Sequence, residues 1–243
     1  MIAVFINCTT VILGSLVGLL FAKRISAGMT DVVKTACGLV SLVLGIQMAL
    51  NYGNIVYLAL ALILGGLMGT WIDIDQKILD FGGILERLVS GHKSSGSSGI
   101  SGDASFARAF LNSSVLFCVG AMSILGSIQA GIDKNYSIIL TKSMMDGFMS
   151  MALAAAMGIG TLFSALTILV YQGALTLLAG RIAAYASPQM LTAISASGGV
   201  MVLMIGVNLT GLRAIKTANY LPTLVFSALF VALDPLVRSA LPI

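Results

Sequence analysis

An all-α polytopic membrane bundle of about eight transmembrane helices is the fold this sequence predicts, and three observations predict it. Of 243 residues, 58% are apolar and only 9% charged, where a soluble domain carries about 25% charged residues. Mean hydropathy is +1.04. The apolar text also falls into runs of the ~20 residues that a helix needs to cross a bilayer. Twenty-two charges cannot coat a 25.1 kDa surface in water. This composition excludes a cytosolic enzyme, a nucleic-acid binder and a disordered chain, and makes membrane lipid the first partner. The net charge of +4 reads as the basic bias of cytoplasmic loops rather than a nucleic-acid footprint.

The elements follow in chain order. The first span is 2–22, stopped by Lys23-Arg24. It has no basic n-region and no small-residue cleavage pattern, so it reads as a span and not a removable signal peptide. The second is 32–50, ended by the turn-rich Asn51-Tyr52-Gly53-Asn54. The third is 55–72, closed by Trp71 and Asp73, an aromatic at headgroup level followed by a charge. In 73–108, Ile74, Ile78, Phe81, Leu85, Leu88 and Val89 recur at three- and four-residue steps between charges. That pattern predicts an amphipathic helix on the membrane surface. A Ser/Gly linker, 92–99, follows and holds His92, the sole histidine. The fourth span is about 109–130. The stretch 137–180 is too long for one helix, and Gly158-Ile159-Gly160 divides it into 137–157 and 161–180. Pro188 opens the seventh span, 189–209, and Pro222 the eighth, 221–240.

The chain is one membrane domain with internal structure. Residues 38–48 and 199–209 share a pattern of Gly, six residues, Gly, one apolar residue and a carboxamide, at an offset of 161 without gaps. The same offset carries Asp73 to Asp234. Two three-helix units are therefore expected, 2–72 and 161–240, with central helices in 109–157. Five spans precede the second unit, and an odd number inverts it. Inverted repeats about an axis in the membrane plane are a transporter architecture. With the N-terminus outside, nine Lys and Arg are cytoplasmic and four (Lys134, Lys142, Arg181, Arg238) lie on the other half. The expectation is a multi-pass protein of the bacterial inner membrane, N-out and C-out.

Gly45-Ile46-Gln47-Met48-Ala49, Gly158-Ile159-Gly160 with Ser164, Tyr171-Gln172-Gly173 and Asn219-Tyr220-Leu221-Pro222 occur in that order. Together they resemble the bacterial membrane family catalogued as domain of unknown function 554 (YqgA-like), over nearly the whole chain. The resemblance implies an integral protein of the cell membrane and carries no activity with it.

Asp146 is the sharpest candidate for function. Nine residues into its span, it lies about 13 Å deep at 1.5 Å per residue. A carboxylate there is expensive unless paired, protonated or hydrated. Lys142 sits one turn away on the same face. The pair reads as an ion-binding or proton-relay element, or, if the span starts near Gly147, as a snorkelling interfacial ion pair. Gln47 and Asn208 are repeat-related carboxamides suited to holding a cation or polar solute across a pseudo-axis, or to plain interhelical bonding. Asn112 makes the fourth span unusually polar, and Gln172 adds a carboxamide to the sixth. Gly158 and Gly160 form either a hinge that exposes backbone to a ligand or a simple turn. Cys8, Cys37 and Cys118 lie in apolar text and read as packing residues. No cofactor or metal motif is present.

No G-x-S-x-G or H-E-x-x-H occurs, and no span contains histidine, so a non-enzyme is expected. The leading functional expectation is a small secondary transporter or ion-coupled permease for a small solute or cation. The alternative is a membrane scaffold or sensor whose segment 74–105 binds a partner. Gly14-x-x-x-Gly18 and Gly65-x-x-x-Gly69 are close-packing signals that would also permit a homodimer.

Overall fold

The computed structural model describes residues 1–22, 27–90, 100–119, 121–132, 134–182 and 187–240. The Ser/Gly linker and His92 lie outside them, as do Lys23 and Arg24. The described residues are helical, with no strand among them. The helices are α1 (Ile2–Ala22), α2 (Ala27–Ala49), α3 (Ile55–Ile72), α4 (Ile74–Ser90), α5 (Ile100–Cys118), α6 (Ala121–Ile132), α7 (Ser137–Met157), α8 (Gly160–Leu177), the single turn α9 (Ala179–Ile182), α10 (Pro188–Leu209) and α11 (Pro222–Ala240). A 3₁₀ turn, Thr217–Tyr220, precedes α11.

Seven stretches are long and apolar enough to cross a bilayer. Their outer faces carry large apolar side chains that water would not tolerate. On α1 these are Phe5, Leu13, Leu20 and Phe21, and Trp71 at the end of α3 is 88% exposed. The local signals act as expected at several ends. Asn54 caps α3 by accepting from the Val56 N–H at 2.9 Å. Asp73 stops α3 in the left-handed region at φ 51°. Ser187 caps α10 by accepting from the Met190 N–H, with Pro188 in the first turn.

The fourth span departs from expectation. It is not one helix over 109–130 but two, α5 and α6, meeting at a bend of 60°. A break inside a membrane strands backbone carbonyls, which must find partners within the protein. Here the Ser123 hydroxyl donates to the Phe117 carbonyl at 2.9 Å. α5 also begins at Ile100, inside the 73–108 stretch expected to precede the fourth span.

Contacts fix the direction of each helix. Asn7 meets Asp146, and Ser150 reaches the Val11 carbonyl, so α1 and α7 run parallel. Asn7 also meets Gln172, while Cys8 reaches the Ala165 carbonyl, so α8 runs opposite to α1. If α1 rises, α3 rises too, and α7 rises again. The chain must descend once between α3 and α7; α4 runs antiparallel to α5, with Gly82 at Ala107 and Ile78 in one cluster with Leu111 and Val115, so the descent falls to α5 and α6. α5 runs alongside α8, from Phe106 at Gly160 to Ser114 at Thr167. α6 continues to Gly131, which closes on the Thr176 carbonyl. The broken pair is thus a full crossing rather than a re-entrant loop. α1, α3, α7 and α10 begin on one face, here termed the terminal face, and α4 lies at the other.

α2 and α10 pack antiparallel through four glycines. A Cβ on Gly45 would approach the Gly199 carbonyl oxygen to 2.8 Å, and one on Gly206 would approach the Gly38 oxygen to 2.9 Å. α3 packs antiparallel to α11, with Tyr57 beside Phe230. The main core gathers Val4, Cys8, Val11, Phe117, Cys118, Ile139, Leu153 and Ile168 from α1, α5, α7 and α8. All three cysteines are free and buried, as packing residues are.

α4 is docked rather than free on the surface. Ile74, Ile78 and Leu79 pack against Leu111, Val115 and Met201.

Candidate functional site

The site starts from a helical spacing. Lys142 and Asp146 are four residues apart on α7 and therefore share a face. That face turns into the bundle. The two residues are 6% and 7% exposed, and the Lys142 Nζ pairs with Asp146 Oδ2. Asp146 sits one residue from the middle of the 21-residue α7. Placing a charge at such a depth costs about 2.5–3.5 kcal/mol on an insertion scale. Both side chains are enclosed among protein groups rather than presented on the outer face of α7.

The pair is tied to two further helices. α1 contributes Asn7, fully buried, whose Nδ2 donates to Asp146 Oδ2 at 3.2 Å and to Gln172 Oε1 at 3.0 Å. Gln172, on α8, is equally buried. One carboxamide thus links an acid on one helix to an amide on another. The cluster is not fully satisfied: Asn7 Oδ1 and Gln172 Nε2 are buried without a hydrogen-bond partner among the described residues. The broken crossing abuts it, because Cys118, at the end of α5, packs in the same core as Cys8, Ile139 and Tyr171.

The other candidates lie elsewhere. Asn112 is buried on α5, but no hydrogen bond joins it to the cluster among the described residues. Gln47 is exposed on the outer side of α2. Asn208 is bound up at the end of α10, with Nδ2 donating to the Ile215 carbonyl and Thr217 hydroxyl and Oδ1 accepting from the Ile215 N–H at 2.7 Å. These two do not face each other. Gly45 meets Leu203 and Gly199, and Gly199 meets Met48 and Ala49, which sets Gln47 level with about Val200, so Asn208 is about eight residues off, about 12 Å along the axis. Two equivalent positions on antiparallel helices meet only at the crossing point, and these are far from it. Nor do Gly158 and Gly160 form an unwound hinge. Gly158, at φ 94°, turns the chain from α7 into α8, and Gly160 packs under the Phe106 carbonyl.

Asn7 was absent from the sequence expectations. Its one available signal is that it is the only carboxamide in the first span, where Thr9, Thr10 and Ser15 are the other polar residues.

A second polar locus lies on the terminal side between α3, α10 and α11. A cavity of about 340 Å³ is lined there by Asn54, Tyr57, Gln189, Ser197, Ser227 and Asp234, among others. The Tyr57 hydroxyl donates to Asp234 at 2.6 Å, and the Ser197 and Ser227 hydroxyls pair at its inner wall. On the opposite face, Asn219 serves structure: its Oδ1 accepts from the Asp75 N–H at 2.8 Å. Asp75 Oδ1 in turn accepts from the Ala218 N–H. Burial pushes the Asp75 carboxyl above its ordinary value, against the pull of that N–H and of Lys216. The motif Asn219-Tyr220-Leu221-Pro222 therefore locks α4 to the start of α11.

The chain is 28% identical over 228 residues to the uncharacterized membrane protein YdfK of Bacillus subtilis (strain 168), covering 92% of this chain and 93% of that protein. It is 27% identical over 223 residues to the uncharacterized protein YqgA of Escherichia coli (strain K12), with 92% and 93% covered. No solved structure matches it. The profile of the protein family of unknown function DUF554 matches residues 2–232, and this helical membrane protein belongs to that family.

Proposed function

We propose that the chain is a small secondary transporter, an ion-coupled permease for a small solute, and not an enzyme. The observation that carries this reading is the Lys142–Asp146 pair, buried at the middle of α7 and bonded through Asn7 to Gln172. A protein that needed only stability would gain little from such a pair, since apolar replacements of equal volume are often neutral or stabilising. Intramembrane ionisable residues that face a bundle interior mark ion and proton pathways. The discontinuous α5–α6 crossing beside the cluster is of the kind that transporters use at their binding sites.

Two further features support the reading. α1 packs antiparallel to α8, α2 to α10 and α3 to α11, which suits two units of opposite orientation. The glycine contacts are reciprocal: adding 161 to 38 and subtracting 161 from 206 turns the Gly38–Gly206 contact into Gly199–Gly45. A two-fold axis in the membrane plane generates that reciprocity. The cavity near Tyr57 and Asp234 offers a small solute a vestibule on the terminal side. Lys77, Arg108, Arg213 and Lys216 lie toward the α4 face, which makes that face cytoplasmic by the basic-loop rule. The scaffold alternative is weakened because α4 spends Ile74, Ile78 and Leu79 on its own bundle.

The test is electrical. Proteoliposomes on a solid-supported membrane receive pulses of amino acids, amines, carboxylates and sugars under a pH gradient. At least one class should give a current with the wild type and none with Asp146→Asn, while the variant still purifies as a monodisperse protein. Currents that survive Asp146→Asn, or a wild type as silent as empty liposomes throughout the panel, would remove the reading.

A further inference from the structure

Six buried side-chain polar atoms have no hydrogen-bond partner among the described residues, and four of them belong together. Asn7 Oδ1 and Gln172 Nε2 are the unpaired edges of the cluster. Thr176 Oγ1 is one turn beyond Gln172 on the same face of α8, toward the terminal face. Ser127 Oγ is on α6, one turn before Gly131. A Cβ on Gly131 would close on the Thr176 carbonyl, so this end of α6 packs against α8 at Thr176. All four residues are at most 7% exposed. Buried polar atoms in folded proteins find partners, protein or water. Four such atoms on three helices joined by the Asn7–Gln172 bond and the Gly131–Thr176 contact describe a route rather than four separate faults.

The chemistry of the lining selects the occupant. Gln172 Nε2 only donates, and so does the Lys142 ammonium, of whose three N–H groups Asp146 takes one. Asn7 Oδ1 only accepts, and the Ser127 and Thr176 hydroxyls do both. A bare metal cation would face the amide N–H pair and the ammonium, which repel it. Water satisfies every group in turn.

We infer that a file of internal water runs from the terminal face past Thr176 and Ser127 to Gln172 and Asn7, and that it delivers protons to Asp146. The coupling ion is therefore the proton rather than sodium. The step balances simply: a hydronium at the inner end gives its proton to the Asp146 carboxylate and becomes water, and Lys142 loses its anionic partner. With the α4 face cytoplasmic, this route opens to the outside, as proton-driven uptake requires. The coupling role rests on the transporter reading, whereas the water route does not.

Thiols report the route without any need for flux. Thr176→Cys and, separately, the near-isosteric Ser127→Cys are placed in the full chain. Silver ion, about the size of a water molecule, is applied to sealed vesicles of either orientation. It displaces the thiol proton to form a silver thiolate, a reaction that requires a hydrated, ionisable thiol. Remaining thiols are alkylated after denaturation and read peptide by peptide, with buried Cys37 as the internal reference. The expected result is protection of residues 127 and 176 from the terminal face, about tenfold faster than from the other face or at Cys37. Protection no faster than at Cys37 from the terminal face overturns the route, even if Asp146-dependent currents exist. Protection without any such current leaves the route standing and removes the transporter reading instead. A solute current that disappears when sodium is replaced by choline at constant pH overturns the proton assignment.

Discussion

The residue that governs this molecule is a charge that lipid would reject. Asp146 is held by Lys142 and Asn7 together, both at Oδ2: the ammonium balances its charge and the carboxamide adds a hydrogen bond from a second helix. Breaking a buried pair leaves an uncompensated ion and costs about 3–5 kcal/mol, whereas replacing both members with apolar groups is often neutral. Asp146→Ala should therefore destabilise the protein by about that amount, seen as a lower melting temperature in detergent. Lys142→Met with Asp146→Leu should recover most of the loss while leaving no transport current. If the double variant melts as low as the single one, the pair is structural cement and its proposed role is lost. At this scale the sequence was half legible. Lys142 and Asp146 stand out because a charge interrupts apolar text and their spacing is local. Asn7 does not stand out, because a carboxamide barely disturbs hydropathy and its partners lie 139 and 165 residues away. Gln47 and Asn208 misled for the opposite reason. A shared offset reports common pattern, and only the direction of packing tells whether matched positions meet.

At the scale of elements, most helices were readable because a bilayer imposes one length on all of them. α1, α3 and α7 begin and end where composition changes. The break between α5 and α6 was not readable, since the residues around it are as apolar as the helices themselves. It is stabilised by a tertiary circumstance, in which Ser123 takes up the Phe117 carbonyl inside a closed bundle. The glycines of α2 and α10 were visible as a repeated spacing, but their purpose appears only in the packed pair. Without a hydrophobic force between helices in lipid, close backbone approach supplies the contact. A Cβ on Gly45 would come within 2.7 Å of the Leu203 nitrogen, and one on Gly199 within 2.7 Å of the Met48 Cβ. Either alanine substitution should cost about 1–3 kcal/mol through forced separation. The geometry makes a sharper demand on pairs of substitutions. Gly45→Ala and Gly199→Ala act at one crossing, so the second should add little to the first. Gly38→Ala, which meets Thr210, and Gly199→Ala act eleven residues apart on α10, about 16 Å, and should add nearly in full. Equal coupling in both double variants, measured by thermal unfolding, would mean that α2 and α10 do not meet in this register.

The whole molecule is a question of direction. Hydropathy marks crossings but not the sense in which each is traversed, and one miscounted span inverts everything after it. The break in the fourth span is where that error would enter: as a re-entrant loop it would put α7 and α8 the other way up. Paired contacts decide the matter: Asn7 with Asp146 and Val11 with Ser150 require α7 to rise beside α1, and Asn7 with Gln172 and Cys8 with Ala165 require α8 to descend. It follows that Asn54, before α3, and Asn135, before α7, share a face, and that Asp73, after α3, and Leu212, after α10, share the other. Reporters that are active on only one side of the membrane, inserted at these four positions, should divide two and two. A re-entrant α5–α6 would instead group Asn135 with Asp73, and would separate it from Asn54. That grouping would set α1 and α8 parallel and remove the opposed orientation of two units on which the proposed transporter reading draws. The basic loops sharpen the expectation further. Lys77, Arg213 and Lys216 accompany Asp73 and Leu212, so this second pair should be the cytoplasmic one. The file of water proposed at Thr176 then opens outside, where a cell's proton gradient would push inward through Asp146.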